Sequence, residues 1–551
     1  MSSYTDIYAT SPTSPALLSR IPALRGTIKV PGDKSTSHRA LIFAALAKGT
    51  SELRGLCDCA DIHATIDAIC RLGAIVDFVA DENGLSGTVI GAIPAPSNDP
   101  DEADFDEPLA ACGIDSLFDP LELDCGNSAT TARLLMGTLA GYAMAIKLTG
   151  DASLRRRPFG SLIKPLLSMG VRINRGELGC RTPCGIGADT LPLLMKGRSP
   201  LKAIKYHLPA ASAQVKSAII LAGLRAEGIT SVTEPAPSRD HTERLLGLFG
   251  VEVNTCGQTV SVHGGQRLHP ADIKVFGDPS AAAVFAVCAA LIPGSELVVP
   301  NIYLNPTRLG FVAVMRRMGA DIEVVASDAA AGQDFAQGTG SLKVRYAPGL
   351  TATTVEADEL PSLIDEVPIL ALLATQASGT TVFKGVGELR HKESNRIQGI
   401  CEGLMALGVE VSATGGVGED YVLSVSGIAR ARSSNIAINL SNYDDEHYDD
   451  EDIARASGFA SGQTADSEKC AADRPVNEQV STSVSGQKAA CAVGAKNASL
   501  ILNSHGDHRL AMAWSVAKRA LFPTVEVQGL ESLAVSYPDF LHDLEAAGAV
   551  R

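Results

Sequence analysis

The chain has 551 residues, 45% hydrophobic and 20% charged, with 52 glycines and 28 prolines. This profile excludes a wholly disordered, collagenous or coiled-coil chain, and the length suits two domains with extra segments. The net charge is −15, but six acids between Asp99 and Glu107 and seven between Asp444 and Asp452 supply nearly all of it. The near-neutral remainder lacks the basic domain of a nucleic-acid binder, so no nucleic acid is expected.

Residues 1–19 are rich in Ser, Thr and Pro and contain no Lys or Arg. They lack the basic start of a secretory or organelle leader, and a cytoplasmic protein is expected. The first repeated unit follows. A helix of small apolar residues, a Gly turn and a β-branched strand read SHRALIFAALAKGTSELRGL from Ser37, then a second helix and strand read DIHATIDAICRLGAIVDF from Asp61. An acidic, Pro-bearing stretch at 94–120 breaks the pattern and reads as a solvated insertion. The unit returns as NSATTARLLMGTLAGYAMAIKLTG from Asn127 with RPFGSLIKPLLSMGVRI from Arg157. It returns again as SAQVKSAIILAGLRAEGITSVTE from Ser212 with DHTERLLGLFGVEV from Asp240.

The second half repeats the plan. SAAAVFAVCAALIPGSELVVPNI from Ser280 precedes TRLGFVAVMRRMGADIEV from Thr307, and DEVPILALLATQASGTTVFKGV from Asp365 precedes SNRIQGICEGLMALGVEV from Ser394. Residues 431–497, rich in Ser, Ala, Gly and Asp, read as a disordered insertion. GDHRLAMAWSVAKRALFPTVEVQG from Gly506 and YPDFLHDLEAAGAV from Tyr537 close the series. Six βα units, three plus three, predict two similar α/β domains. The first helix of each unit is apolar nearly all round and should be buried, with strands outside it. Ala281–Ile292, the longest run of small apolar residues, is too short for a membrane span of about 20, so no membrane is expected. The 12 cysteines are scattered. The close spacings Cys57/Cys59 and Cys180/Cys184 lack the further ligands of a zinc site, so no metal is expected.

Polar residues gather where the first helix of each unit begins: Lys34, Ser35, Ser37 and Arg39; Asn127, Thr130 and Arg133; Ser212, Gln214 and Lys216; Asp365 and Glu366; Asp507, His508 and Arg509. Hydroxyls there can serve as ordinary caps. Lys and Arg oppose the helix dipole, so several together call for anionic partners. Arg155, Arg156 and Arg157, and Arg390, Lys392 and Arg396, add to the cationic set. The pattern points to a site for small polyanions. Asp365 and Glu393 stand among these cations, either as salt-bridge partners or as an acid–base pair; the residues alone leave both roles open. No nucleophile elbow, dinucleotide turn or Walker lysine occurs.

Ten segments carry a resemblance: PGDKSTSHRA (Pro31), GNSATTAR (Gly126), RRPFG (Arg156), SAQVKSA (Ser212), SRDHTE (Ser238), GDPSAA (Gly277), NPTR (Asn305), LIDEVPILA (Leu363), ELRHKESNR (Glu388) and NSHGDHRLAM (Asn503). In this order they resemble the enolpyruvyl transferases, within them the branch that uses shikimate 3-phosphate, and GDKS, SAQVK, RDHTE and NPTR resemble its class II. The resemblance implies an α/β fold of two inside-out α/β barrels, three repeated βα units each. One domain would comprise 1–31 plus 276–551, the other 32–275, joined by a double hinge that crosses near Gly32 and returns near Phe276. It implies transfer of the enolpyruvyl group of phosphoenolpyruvate to the 5-hydroxyl of shikimate 3-phosphate, without a cofactor, in a monomer.

Carried over by motif, Lys34, Ser35, Arg39, Ser212, Ala213, Gln214, Ser238, Arg239, Asp365 and Lys392 would hold shikimate 3-phosphate. Lys34, Asn127, Ala129, Arg157, Gln214, Arg396 and Arg509 would hold phosphoenolpyruvate, with Arg133 supporting. Asp365 would be the base and Glu393 the acid, with Lys34 assisting. Three departures stand out. Ala129 replaces a Gly beside the phosphoenolpyruvate pocket, which implies reduced sensitivity to the longer inhibitor glyphosate. Val535 replaces a Lys, so one phosphoenolpyruvate contact is either missing or supplied elsewhere, with Lys216 one candidate. Glu388 replaces an Asn that would contact shikimate. The alternative is an enolpyruvyl transferase acting on UDP-N-acetylglucosamine, but its reactive Cys would fall to Cys112, in an acidic stretch that disfavours a thiolate.

Overall fold

A computed structural model of the chain describes residues 22–92, 120–175, 189–326, 338–415, 421–428 and 500–549. The tail 1–19, the stretch 94–119, the segment 431–497, and Cys112, Cys180 and Cys184 lie outside the described residues.

The described helices alternate between two kinds. In chain order they are α1 (Lys34–Leu46), α2 (Ala60–Arg71), α3 (Ala129–Leu139), α4 (Gly160–Ser168), α5 (Ala213–Gly223) and α6 (His241–Leu248). Then come α7 (Pro279–Leu291), α8 (Gly310–Arg317), α9 (Val367–Ala374), α10 (Arg396–Ala406), α11 (His508–Ala520) and α12 (Phe540–Ala549). The odd-numbered helices are the apolar ones. α7 and α9 are buried along their whole length and α1 from Thr36 onward, because a helix with no polar face has none to offer water. The even-numbered helices bury one stripe, as α8 does with Phe311, Val312, Val314 and Met315. Small residues let the inner helices approach closely. A Cβ on Gly137 of α3 would sit 2.2 Å from the carbonyl oxygen of Ala218 in α5.

Five four-stranded sheets share one plan among the described residues. The strand after an odd-numbered helix lies parallel to a short strand from elsewhere and antiparallel to a third strand, which pairs antiparallel with a fourth. Thus Glu296–Tyr303 runs parallel to Arg25–Thr27 and antiparallel to Thr339–Arg345, which pairs with Asp321–Ala326. Along Thr339–Arg345, Gly340, Leu342 and Val344 point inward, the period-two signature of a sheet with one covered face. Two separate cores result. One gathers residues from Ala40 to Val275; the other gathers Leu24, Ile28 and residues from Ala281 to Ala547.

The chain passes between these cores twice. Arg25–Thr27 joins the sheet of Glu296–Tyr303, whereas Ile273–Lys274 joins that of Gly49–Leu56. The two passages touch at Gly32 and Gly277, with Asp33 N–H donating to Phe276 O (2.7 Å) and Asp278 N–H to Pro31 O (2.9 Å). Only glycine fits at 32, since a Cβ would lie 2.0 Å from Gly55 O.

Immediately beyond each passage an aspartate caps a helix: Asp33 accepts from Thr36 N–H at the start of α1, and Asp278 from Ser280 N–H at the start of α7. Arg308 ties the two caps together. Its guanidinium donates to Asp33 Oδ2 (2.6 Å) and to Asp278 Oδ1 (2.8 Å), and it is 1% exposed. His241 completes the cluster, Nε2 lying 3.4 Å from Asp33 Oδ1. Burial would raise the Asp33 carboxyl, but Arg308 and His241 outweigh it and hold it well below the usual range. Burial pushes His241 down to about 4 against the pull of Asp33, so the ring is neutral near pH 7.

Two outcomes follow from this cluster. Arg308→Met leaves two largely buried carboxylates without their cation and should lower unfolding free energy by about 3–5 kcal/mol in urea; a loss under about 1 kcal/mol would contradict the account. For His241 the unfolded ring binds a proton below about pH 6.5, while the folded ring does not until about pH 4. The unfolded state therefore holds more protons in that window, and stability rises with pH through it. His241→Gln should remove one proton from that slope, roughly 3 kcal/mol across the window. An unchanged slope would show that the folded ring titrates normally.

Candidate active site

Ion pairs and hydrogen bonds link the starts of the inner helices. Arg39, one turn into α1, is buried beside hydroxyls: Nε donates to Thr242 Oγ1 (2.8 Å) and NH2 to Ser217 Oγ (3.1 Å). Another N–H of its guanidinium donates to Ser35 O (2.9 Å). No carboxylate among the described residues forms an ion pair with it. Burial lowers its pKa to about 10, which still leaves a full positive charge at pH 7. A buried cation in that setting invites an anion. Ser212 heads α5 without a capping bond, leaving its hydroxyl and the helix N–H groups for a ligand, and Ala213 is the first helical residue. Gln214 donates to Thr130 Oγ1 (2.8 Å) and accepts from Arg133.

Ser238 donates its hydroxyl proton to Glu234, and Lys216 lies between Glu234 (2.7 Å) and Glu243 (2.8 Å), 2% exposed. Lys216 therefore does not take the place of a lysine at position 535, where the chain has Val535. Its ammonium faces into its own core, held by two carboxylates that would be left uncompensated without it.

The second half of the cluster surrounds Arg157. Its guanidinium donates to Asn127 Oδ1 (2.6 Å) and lies 3.6 Å from Glu393 Oε1. Asn127 in turn donates to Asp151 (2.7 Å), and Ala129 opens α3 just beyond it, buried. Arg133 donates to Pro158 O (3.0 Å) and stacks 5.3 Å over the Phe159 ring. Lys34 donates to Asp61 Oδ2 (2.8 Å).

Arg396 is the centre of the other side. It is 1% exposed and reaches Asp507 Oδ2 (2.7 Å), Asp365 Oδ1 (3.1 Å) and Glu393. Arg239, from the 40–275 core, completes Asp365 at 2.7 Å. Lys392 pairs with Glu388 (3.0 Å), so the departure at 388 places a charge partner where an amide was expected. Arg509 donates its backbone N–H to Asp507 Oδ1 (2.9 Å), while its side-chain Nε has no partner.

Burial would raise both central carboxyls. For Asp365, Arg239, Lys392, Arg509 and Arg396 outweigh it; for Glu393, Arg396 and Arg157 lead, with Lys34 adding to them. Both are held well below the ordinary range. Asp61 goes the other way, raised by burial despite Lys34.

Two members escaped the sequence reading as chemical groups. Asp61 looks like a common first-turn acid of a helix, and only the fold sets it on Lys34. His508 was visible only as part of a helix start. In the structure both its ring nitrogens are buried without partners, and burial drives its pKa well below the usual value, leaving a neutral imidazole beside Glu393 and Lys34. Among the described residues no group of three or more His, Cys, Asp or Glu is arranged to hold a metal ion, and no helix is long and apolar enough to cross a membrane.

Comparison with known proteins bears on this arrangement. The family model for EPSP synthase (3-phosphoshikimate 1-carboxyvinyltransferase) matches residues 18–102 and 110–437. A 3-phosphoshikimate 1-carboxyvinyltransferase of Geobacillus kaustophilus is 38% identical over 530 residues, covering 96% of this chain and 99% of the relative. A solved EPSP synthase of Acinetobacter baumannii aligns with TM-score 0.65 and 32% identity over 96% of each chain. The enolpyruvyl transferase NikO of Streptomyces tendae aligns with TM-score 0.59 at 16% identity over 96% of each chain, a likeness of fold. Repeated α/β units, a twice-crossed boundary and a cationic site with two ionised carboxylates thus meet a sequence match along nearly the whole chain, which belongs to the EPSP synthase family.

Proposed function

We propose that the chain transfers the enolpyruvyl group of phosphoenolpyruvate to the 5-hydroxyl of shikimate 3-phosphate, and that the cluster described above is where it does so. The observation that carries this is Asp365, held between Arg239 of one core and Arg396 of the other, with the buried Arg39 cation in the same lobe as Arg239. Lys34, Ser35, Arg39, Ser212, Ala213, Gln214, Ser238, Arg239 and Lys392 are assigned to shikimate 3-phosphate. Lys34, Asn127, Ala129, Arg157, Gln214, Arg396 and Arg509 are assigned to phosphoenolpyruvate. Both substrates carry phosphate and carboxylate, which planar guanidinium groups match bidentately.

The pKa directions divide the proton transfers. Without substrate both carboxylates are ionised. Phosphoenolpyruvate would take Arg157 and Arg396 from Glu393 and set its own negative charge beside that carboxyl, which raises its affinity for a proton. Glu393 then protonates the methylene carbon, and the adjacent carbon becomes electrophilic. Asp365, kept ionised by Arg239, accepts the proton of the 5-hydroxyl as its oxygen attacks. Loss of a methyl proton to a site carboxylate, with breakage of the carbon–phosphate-oxygen bond, releases phosphate and restores the vinyl group. Closing the two lobes, 1–31 plus 276–551 and 32–275, over the substrates would exclude water. Both halves of the site belong to one chain, which supports a monomer. The free thiols of Cys57, Cys59, Cys70, Cys125, Cys256 and Cys288 fit a reducing cytoplasm.

The test is phosphate release from phosphoenolpyruvate with shikimate 3-phosphate or UDP-N-acetylglucosamine offered separately. Release with shikimate 3-phosphate alone, falling by about 10²–10⁴-fold in Asp365→Ala, is expected. Release with the sugar nucleotide alone would replace the acceptor. The added methyl at 129 generates a second outcome: Ala129→Gly should lower the glyphosate concentration for half inhibition by about tenfold or more while phosphoenolpyruvate still binds. Equal inhibition of both forms would remove Ala129 as the determinant.

A further inference from the structure

Two of the segments that carry the resemblance, RDHTE and NPTR, supply only Arg239 to the substrate site as assigned above. The structure places them against each other across the boundary between the cores. Asn305 is fully buried. Its Oδ1 accepts from Thr307 N–H and Oγ1–H (both 2.9 Å), which fixes the amide so that Nδ2 points the other way. Nδ2 donates to Asp240 Oδ1 (2.6 Å) and to Tyr303 Oη (3.1 Å). Thr307 Oγ1 also approaches Asp240 Oδ1 (3.4 Å), and Arg244 holds its other oxygen (2.7 Å). Burial would raise the Asp240 carboxyl, but Asn305 and Arg244 outweigh it and hold it ionised. One residue on, His241 meets Arg308 and Asp33, and its ring packs edge-on against Tyr303 with centroids 5.5 Å apart.

Of their neighbours, Thr242 and Glu243 face the other way, into their own lobe, whereas Arg239 reaches Asp365 of the opposite lobe. Thr242 accepts from Arg39, and Glu243 holds Lys216, which shares Glu234 with Ser238. A single stretch of six residues, 238–243, thus touches the acceptor site on one side and the opposite lobe on the other.

From this juxtaposition we propose that Asp240 and Asn305 are positioning residues whose contact registers the two lobes, setting where Asp365 stands relative to an acceptor held by Arg39, Ser238 and Arg239. The inference rests on the functional reading above. It assigns no contact with substrate to either residue. A registration error of about 1 Å at a reacting group can cost about a hundredfold in rate while leaving ground-state binding nearly intact.

The donor–acceptor direction of the contact gives the test. Asn305→Asp keeps the oxygen that caps Thr307 but sets a carboxylate against Asp240. The pair Asp240→Asn with Asn305→Asp reverses the direction, an amide at 240 now donating to a carboxylate at 305. Steady-state phosphate release would be measured on wild type, Asn305→Asp and the pair, with whichever acceptor supports release in the wild type, alongside thermal unfolding of each. The expected result is a kcat lower by about 10- to 100-fold in Asn305→Asp, a KM for the acceptor within about threefold, and recovery of most of kcat in the pair. Should Asn305→Asp fail to fold, Asp240→Ala, altered at a partly exposed side chain, should show the same kcat loss with folding retained. Unchanged kcat in these variants overturns the proposal. So does a loss that the pair does not recover, because that assigns the effect to Asn305 alone. A wild type that releases no phosphate with either acceptor overturns the functional reading, and this inference with it; an active wild type beside an indifferent Asn305→Asp overturns the inference alone.

Discussion

The buried guanidinium of Arg308, bonded at once to Asp33 and Asp278, is the constraint on which the site depends. Each aspartate caps an inner helix just after the chain has crossed between the cores. A charge with that little exposure is tolerated only because it has fixed partners, and fixed partners mean fixed helix starts. Lys34 follows Asp33 directly, so the first cation of the site inherits its position from the crossing. Gly32, just before Asp33, has no room for a side chain because the carbonyl oxygen of Gly55 lies where its Cβ would stand.

From those helix starts the electrostatics follow. Lys34, Arg157, Arg239 and Arg396 all find carboxylates in the structure, and those carboxylates include the two assigned to proton transfer. The site therefore satisfies itself, with the exception of charges such as Arg39, whose neighbours are hydroxyls and a carbonyl. Anionic substrates would exchange one set of partners for another rather than enter a region of bare charge. On the function proposed above, the exchange would raise proton affinity at Glu393, which gives up Arg157 and Arg396. Under that reading a single electrostatic arrangement would separate the two carboxyls into acid and base.

Much of this was legible before any coordinates. The alternation of wholly apolar and one-faced helices predicted inner and outer layers, and the structure has them, since a helix without a polar stripe has one stable place. The clustering of Lys and Arg at helix starts read as an anion site because such placement is unfavourable without one. The reading failed at Lys216. On sequence it is one more cation near a helix start, one turn from Ser212. In the fold that turn carries it inward, between Glu234 and Glu243, which lie 18 and 27 residues further along the chain. Asp61 was missed for the converse reason, an unremarkable acid whose partner is set by packing of α2 on α1.

What the sequence determined by itself is everything that follows from local periodicity and residue type: six units, a buried and an exposed helix in each, a cationic site, and a family likeness carried by ten ordered segments. What only the tertiary structure decided is pairing. Whether a carboxylate serves as a base, a cap or a counter-ion depends on which cation lies within about 3 Å. Asp33, Asp240, Asp365 and Glu243 are alike as residues and differ only in their neighbours. Some of those neighbours come from the other core, as Arg308 does for Asp33 and Arg239 for Asp365, a distance in sequence over which no periodicity carries information.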